Sequence, residues 1–153
     1  MVSSKADRLY NISRRTFLGG TALVVLPVLC GGCSTDKTVM VDLPSVVNNA
    51  IVVRIDDYPM LVEAGGSLLG KVAGRADPII IARVDEDRFV VVDALCTHQQ
   101  CTVAYNALGQ TFDCPCHDSS YEIDGRVIGG PAPRPLRTYS AQSDGTNLTI
   151  AFP

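Results

Sequence analysis

The sequence has 153 residues, of which 46% are hydrophobic, and this length suits a single globular domain. The formal net charge is −3 and no stretch is strongly basic, so nucleic-acid binding is excluded as the main function. The composition also changes along the chain, and three segments are predicted: an N-terminal export or anchor segment at 1–33, a linker at 34–43, and a domain at 44–153.

The N-terminal segment has the features of an export signal. The run Ser13-Arg14-Arg15-Thr16-Phe17-Leu18 resembles a twin-arginine signal, and an apolar stretch over 17–29 follows it. The alternative is a chance arginine pair before a buried helix, which the N-terminal position and the basic flank disfavour. We therefore expect export to the outer, periplasmic face of a bacterial-type plasma membrane.

The fate of this segment after export has two alternatives. The apolar stretch contains Pro27 and is shorter than the roughly 20 residues of a comfortable membrane span. No clean cleavage site follows, but Cys33 lies between Gly32 and Ser34 in a loose lipoprotein context, and Cys30 is a second candidate for lipidation. Retention as an uncleaved anchor competes with lipidation, and both predict membrane attachment through the N-terminus.

Beyond the linker, the pattern is one of short β-branched runs separated by turn residues, typical of strands. The predicted strands are 46–47, 51–55, 79–84, 88–93, 119–123, 126–128, 136–141 and 147–152. The predicted turns are 48–49, 85–87, 124–125 and 144–145, of which two contain Asp-Gly. No ten-residue stretch shows helical periodicity outside the export segment. The predicted fold class is all-β, an antiparallel β-sandwich with a small subdomain carried on hairpins.

The segment between two cysteine-containing boxes and three glycines before them also have predicted structures. Residues 102–112 are expected to supply one strand pair of the small subdomain. Gly65, Gly66 and Gly70 are expected to lie in turns, because none of them has the strand–glycine–helix context of a phosphate-binding loop.

Two short boxes contain both histidines and four of the six cysteines. They are Cys96–Cys101, which reads CTHQQC, and Cys114–Ser119, which reads CPCHDS. The C-x-H and C-x-x-H spacings are what a [2Fe–2S] cluster needs when one iron has thiolate ligands and the other has imidazole ligands. The predicted ligands are Cys96, His98, Cys114 and His117.

This mixed ligand set predicts a comparatively high reduction potential. With two thiolates and two neutral imidazoles the oxidised cluster is formally neutral, whereas four thiolates would make it a dianion. An electron is added more easily to the neutral centre. Replacing thiolates by imidazoles accordingly raises the usual range from roughly −400 mV to about −150 to +300 mV.

A structural zinc site is the main alternative for the two boxes, because two Cys and two His also bind zinc tetrahedrally. Zinc fingers usually pair their cysteines in one knuckle and their histidines on a helix, whereas each box here mixes both types. Zinc would also leave Cys101 and Cys116 unexplained. These two residues are either bridged by a disulfide or present as two free buried thiols. Their positions beside the ligand boxes favour the bridge.

The boxes resemble those of the Rieske iron–sulfur family, in particular the subunits of quinol–cytochrome c and plastoquinol–plastocyanin oxidoreductases. The resemblance extends over 112–136, where Gly129–Pro133 is similar to the Gly/Pro loop that covers the cluster in those subunits. It implies one [2Fe–2S] cluster on the four predicted ligands. It also implies a disulfide between Cys101 and Cys116, which would require an oxidising compartment.

The resemblance further implies that Ser119 and Tyr121 donate hydrogen bonds to a bridging sulfide and to a ligand thiolate. Such donors stabilise the reduced, more negative cluster and so raise its potential. Without the boxes, Ser119 would be interpreted as a turn residue and Tyr121 as a core aromatic. The sequence departs from the family pattern at Gln99 and Gln100, which replace Leu-Gly, and at Asp118, which replaces a glycine.

The function that these features imply is one-electron transfer, with a potential that falls as pH rises if the imidazoles are exposed. The setting that the resemblance implies is a cytochrome bc-type complex, with a cytochrome b-type partner and a c-type cytochrome acceptor. The alternatives are a small subunit of an arsenite-oxidase-like enzyme and a stand-alone periplasmic carrier. Tyr121 favours the cytochrome bc-type complex, whereas the polar Gln99 favours a small subunit of an arsenite-oxidase-like enzyme. The sequence shows no self-contained catalytic site, so enzymatic activity would depend on a partner complex.

Overall fold

The computed structural model describes residues 39–153, and this part of the chain is built almost entirely from short strands. The strands are β1 Met40–Leu43, β2 Ala50–Arg54, β3 Ser67–Val72, β4 Ile79–Arg83, β5 Phe89–Asp93, β6 Ala104–Asn106, β7 Thr111–Asp113, β8 Ser120–Glu122, β9 Val127–Gly129, β10 Thr138–Ser143 and β11 Asn147–Ala151. Two 3-10 helices, Ile55–Asp57 and Pro59–Leu61, separate β2 from β3. The predicted all-β class is therefore confirmed.

The predicted export segment lies outside the described residues. Among the residues that are described, no helix has both the length and the apolar character needed to cross a membrane.

The strands form a large and a small sheet. The large sheet has seven strands in the order β1-β3-β4-β5-β10-β11-β2, and the small sheet has four in the order β6-β7-β8-β9. Strand β10 serves both halves of the large sheet, because Thr138 and Tyr139 pair with β5 while its last four residues pair with β11. All pairs are antiparallel except β1 with β3.

Side chains on the two faces of the large sheet belong to different hydrophobic cores. Ile79 and Ile81 of β4 lie in a core with residues of β2 and β11, whereas Ile80 and Ala82 lie in a second core with residues of the small sheet. Neighbouring residues of a strand point to opposite faces. A strand covered on both faces must be apolar at every position, which explains the unbroken run in β4.

The predicted turns are confirmed and have the backbone conformations that their residues favour. Asn48 and Asn49 have φ of 51° and 61°, as the central residues of a type I′ turn require. Val47 and Ala50 on either side exchange backbone hydrogen bonds of 2.8 and 3.0 Å. The predicted strand at 46–47 is reduced to this isolated bridge.

Strands β1 and β3 depart from the sequence predictions. Gly70 lies inside β3 rather than in a turn, so that prediction was wrong. A Cβ atom at Gly70 would lie 2.3 Å from Cδ1 of Leu43, so glycine makes room for that buried side chain. Leu43 itself ends β1, which occupies the last four residues of the predicted linker 34–43.

Candidate metal centre

The two boxes are loops that follow strands of the second core. The first box follows β5 and is closed by a hydrogen bond from Cys96 N–H to the carbonyl of Cys101, 2.8 Å long. The second follows β7 and is closed in the same way by Cys114 N–H and the carbonyl of Ser119, also 2.8 Å. The first cysteine of each box is therefore fixed at the end of a packed strand.

Burial divides the predicted ligands into two pairs. Cys96 and Cys114 are 1% and 3% exposed and belong to the second core, and both are free thiols. His98 is half-buried and His117 is exposed. The two imidazole rings lie edge to face with centroids 4.7 Å apart. The fold thus brings the two histidines together at the surface, above two buried thiols.

A disulfide joins Cys101 of the first box to Cys116 of the second, with Cα atoms 6.5 Å apart. Cys116 is exposed and Cys101 is half-buried. The predicted disulfide is confirmed, and it holds the tips of the two loops together across a sequence separation of 15 residues.

The two free thiols ionise unequally. Burial raises the pKa of Cys96, but hydrogen bonding from the Tyr121 hydroxyl and from the His98 backbone N–H outweighs it, so the net pKa is lowered. Burial raises the pKa of Cys114, and the neighbouring Cys96 raises it further against opposing backbone hydrogen bonds. Cys96 therefore becomes a thiolate first, and the charge on it opposes ionisation of Cys114. A cation bound between the two sulfurs would remove this opposition.

The Tyr121 hydroxyl lies directly beside the Cys96 sulfur. It is fully buried, and its oxygen is 3.2 Å from Sγ of Cys96 and accepts a hydrogen bond from Thr97 N–H at 3.1 Å. Burial, followed by the interaction with Cys96, raises the pKa of Tyr121. The phenol consequently keeps its proton and can donate it towards the sulfur.

Ser119 is also fully buried, and its hydroxyl has no partner with normal hydrogen-bond geometry among the described residues. It lies close enough to Cys96 to contribute weakly to lowering the pKa of that thiol. A buried hydroxyl without a partner is costly, so it is a donor suited to an acceptor that occupies the site.

The Gly/Pro loop is held against both boxes. Gly130, at a φ of 77°, packs so closely on the second box that a Cβ atom would lie 2.5 Å from Cα of Ser119. Ala132 packs into the second core, and the carbonyl of Arg134 accepts a hydrogen bond from Oγ1 of Thr97 at 2.7 Å. The sequence did not identify Thr97 as a residue of the site. Its position between two predicted ligands is the only feature of the sequence that points to it.

Gln100 and Asp118, two of the departures from the family pattern, both adopt left-handed backbone conformations. Their φ angles are 61° and 54°. Glycine, which the family resemblance predicts at each of these positions, adopts this conformation without steric cost. Asp tolerates it better than most residues, whereas Gln100 carries the larger strain.

Replacing Gln100 by glycine is expected to stabilise the fold by about 1 kcal/mol, since the strain of about 1–2 kcal/mol is relieved and part of the gain is lost to unfolded-state entropy. Chemical denaturation of the full chain would measure this. Gln99→Gly is the matched control, because Gln99 does not have a positive φ and the change should destabilise. Equal effects of the two substitutions would contradict the assignment of strain to Gln100.

The residues present fit a [2Fe–2S] cluster. Two buried thiols lie near each other, and Nδ1 of His98 is buried with no hydrogen-bond partner among the described residues. Together with the Ser119 hydroxyl, these are unsatisfied groups of the types that bind iron or donate to sulfur. Burying these polar groups without partners costs free energy, whereas a bound cluster would supply partners for them.

Removing the disulfide with Cys101→Ser and Cys116→Ser is expected to lower the free energy of unfolding by about 3 kcal/mol, as loop closure over 15 residues suggests. Chemical denaturation of the cluster-free full chain would measure this. Cys30→Ser with Cys33→Ser is the matched control, as it changes two cysteines outside the domain. An unchanged denaturation midpoint in the disulfide variant would contradict the prediction.

Fold and site together define a small β domain with a disulfide-linked pair of Cys/His loops. Residues 54–140 match the family model described as the Rieske [2Fe-2S] domain. Because this match covers more than half of the chain, the protein belongs to that family, and membership implies one [2Fe–2S] cluster.

Curated relatives of the chain include iron–sulfur subunits of cytochrome b6-f complexes. The chain is 51% identical over 60 residues to the cytochrome b6-f complex iron-sulfur subunit of Synechococcus sp. (strain JA-3-3Ab), covering 39% of this chain and 35% of that one. It is 34% identical over 80 residues to the subunit of the same name from Chlorobaculum thiosulfatiphilum, covering 46% and 44%. These matches span only about a third to a half of the relatives' length.

Among solved structures, the chain resembles the ferredoxin of carbazole 1,9a-dioxygenase from Nocardioides aromaticivorans IC177. The TM-score is 0.54 at 24% identity, over 67% of this chain and 95% of that one. At this identity the likeness concerns the fold alone.

Proposed function

We propose that this protein transfers single electrons through one [2Fe–2S] cluster held by Cys96 and Cys114 on one iron and by His98 and His117 on the other. The observation that carries the proposal is the pairing of two buried free thiols with two adjacent imidazoles on disulfide-linked loops. When bound, the cluster supplies reversible one-electron redox chemistry.

The residues around the site favour acceptance of the electron. The Tyr121 hydroxyl and the backbone N–H of His98 direct donors at the Cys96 sulfur and so stabilise negative charge there. The thiols are shielded from water by the second core, whereas the exposed His117 provides a route for electrons at the surface. Buried donors near sulfur together with exposed imidazole are the features of a relatively oxidising electron carrier.

The setting that we propose is an iron–sulfur subunit of a quinol-oxidising cytochrome bc-type complex. The names of the curated relatives support it, since both are cytochrome b6-f complex iron-sulfur subunits. Its partners would be a cytochrome b-type subunit and a c-type cytochrome or similar acceptor.

A second setting is favoured by Gln99, which is exposed beside His98 where the quinol-oxidising branch has an apolar residue. A polar surface at this point suits electron relay to another protein better than quinol docking. The alternative is therefore a small subunit of another periplasmic oxidoreductase or a stand-alone carrier.

We also propose that the protein is exported by the twin-arginine route and remains attached to the outer face of the plasma membrane. The pair Arg14-Arg15 before an apolar stretch supports export, and the disulfide is of a kind that persists in oxidising compartments. Attachment would be through the uncleaved segment or through a lipid at Cys30 or Cys33.

A redox titration of the full chain, loaded with its cluster and repeated across pH, tests the proposed function. The expected result is a positive potential that falls with rising pH, because exposed imidazole ligands couple proton loss to oxidation. A low potential that does not depend on pH would contradict the quinol-linked setting and favour a relay. Absence of an iron–sulfur signal in the matured protein would contradict the central proposal.

A further inference from the structure

The four cysteines of the boxes contain a second possible metal site besides the cluster. The sulfur atoms of Cys101, Cys114 and Cys116 all lie within 4.8 Å of one another, and those of Cys101 and Cys116 are bonded to each other in the disulfide. We propose that, when the disulfide is reduced in the cluster-free protein, these three thiolates bind Zn²⁺, and that formation of the disulfide closes this site.

The arrangement of the sulfurs suits zinc. Tetrahedral zinc with Zn–S bonds of about 2.3 Å holds its sulfur ligands about 3.8 Å apart, which is within the present spread. With Cα atoms 6.5 Å apart, Cys101 and Cys116 can separate their sulfurs by rotation about side-chain bonds. Each loop is closed by its own backbone hydrogen bond, and Cys101 packs against the second core, which contains Cys114. These contacts do not depend on the disulfide, so they keep the three residues near one another after reduction.

The site also has an access route and room for a fourth ligand. Cys116 is exposed, Cys101 is half-buried and Cys114 is buried. A metal ion can therefore reach the site from the side of Cys116. Water at the exposed side can take the fourth position. Three cysteines with one other ligand form a common zinc-binding set.

A phosphine can reduce the disulfide and so open the zinc site. A phosphine and one water convert the disulfide into two thiols and give a phosphine oxide. Zn²⁺ then displaces three thiol protons, which are released to solvent. Reoxidation of Cys101 and Cys116 by a disulfide or another two-electron oxidant leaves only one of the three donors, and the zinc is lost.

One consequence rests on the proposed function. Cys114 belongs both to this zinc site and to the proposed cluster site, so zinc and cluster exclude each other. Once it has formed, the disulfide then has a role beyond stability, because it removes the competing donors and keeps Cys114 available to the cluster alone. In a reducing compartment the same loops would be open to the wrong metal.

The test uses the full chain with Cys30→Ser and Cys33→Ser, which leaves only the four box cysteines, stripped of metal. Zn²⁺ titrations compare the disulfide form with the form reduced by phosphine, and Co²⁺ reports sulfur ligands by its charge-transfer bands. The expected result is one equivalent of zinc bound at least about 100-fold more tightly by the reduced form. Equal affinity of the two forms would overturn the proposal.

Two variants in that background distinguish this site from zinc on the two Cys and two His of the boxes. Cys101→Ser with Cys116→Ser should abolish tight binding, whereas His98→Ala with His117→Ala should retain it. The opposite pattern would place zinc on the proposed cluster ligands and overturn the inference. Loss of the β-sheet circular dichroism signal on reduction would also overturn it, because the sulfurs would no longer be held together. Cluster loading of the disulfide form is measured separately, so failure of the proposed function would be seen independently.

Discussion

Replacing Cys114 by serine is expected to abolish the cluster while leaving the seven-stranded sheet folded. The thiolate of Cys114 is one of two sulfur ligands proposed for the same iron, and a serine oxygen is a harder, poorer ligand for an iron–sulfur cluster. Cys114 is 3% exposed, so no solvent ligand can readily take its place. Iron and acid-labile sulfide content, with visible and electron paramagnetic resonance spectra of the full chain, would measure the loss.

Two comparisons make this result specific. Cys33→Ser removes a cysteine outside the domain and should leave the cluster signal unchanged. The core that contains Leu61, Ile81 and Leu148 does not include Cys114, so the far-ultraviolet circular dichroism of the Cys114 variant should still show a folded sheet. If the variant kept a normal cluster spectrum, the ligand assignment would be wrong.

The candidate ligands could be predicted because they lie within two short stretches of sequence. The spacing of Cys96 to His98 and of Cys114 to His117 identifies a mixed thiolate and imidazole set without knowledge of the fold. By contrast, spacing alone left the state of Cys101 and Cys116 open between a bridge and two thiols. The positions of these cysteines beside the ligand boxes, and then the resemblance, favoured the bridge, which depends on the approach of two loops 15 residues apart.

The fold was predictable where local signals set the strand ends. Asn48-Asn49 and Gly145 have the positive φ angles that their residue types favour, so these turns follow from the sequence. Strand β3 was missed because Gly70 was interpreted as a turn residue. Its real role depends on contact with Leu43, which is distant in sequence and reaches β3 through a parallel pairing that no local pattern indicates.

The contacts around Cys96 are also long-range and were beyond sequence reasoning. Thr97 meets Tyr121 across 24 residues and the Arg134 carbonyl across 37. Nothing in the local sequence specifies these partners. They arise because the second core packs the first box against β8 and the Gly/Pro loop.

The substitution Tyr121→Phe is expected to lower the reduction potential by up to about 60–130 mV. The hydroxyl lies 3.2 Å from the Cys96 sulfur, and a hydrogen bond to a charged group contributes about 1.5–3 kcal/mol. The upper limit applies if the hydrogen bond stabilises only the reduced state. Its energy is converted into a potential at about 59 mV per tenfold change in the equilibrium constant for one electron. Redox titration of the cluster-loaded full chain at one pH would measure the shift.

Tyr105→Phe is the matched control for this substitution. Tyr105 packs on Phe112 beside the same core, and its buried hydroxyl has no hydrogen-bond partner among the described residues. Removing that hydroxyl should leave the potential unchanged. Equal shifts in the two variants would mean that the potential responds to general loosening of the core rather than to a donor at sulfur.

Stability separates the two roles of the Tyr121 hydroxyl. It also accepts the Thr97 N–H, so Tyr121→Phe leaves that donor unpaired and should lower the free energy of unfolding by about 1–3 kcal/mol. Ser119→Ala removes a hydroxyl that has no such partner, so any fall in potential there should come without a comparable loss of stability. A lower potential in both variants, with destabilisation only in Tyr121→Phe, would show that the hydroxyls act on the charge of the site. A potential that follows stability alone would contradict this interpretation.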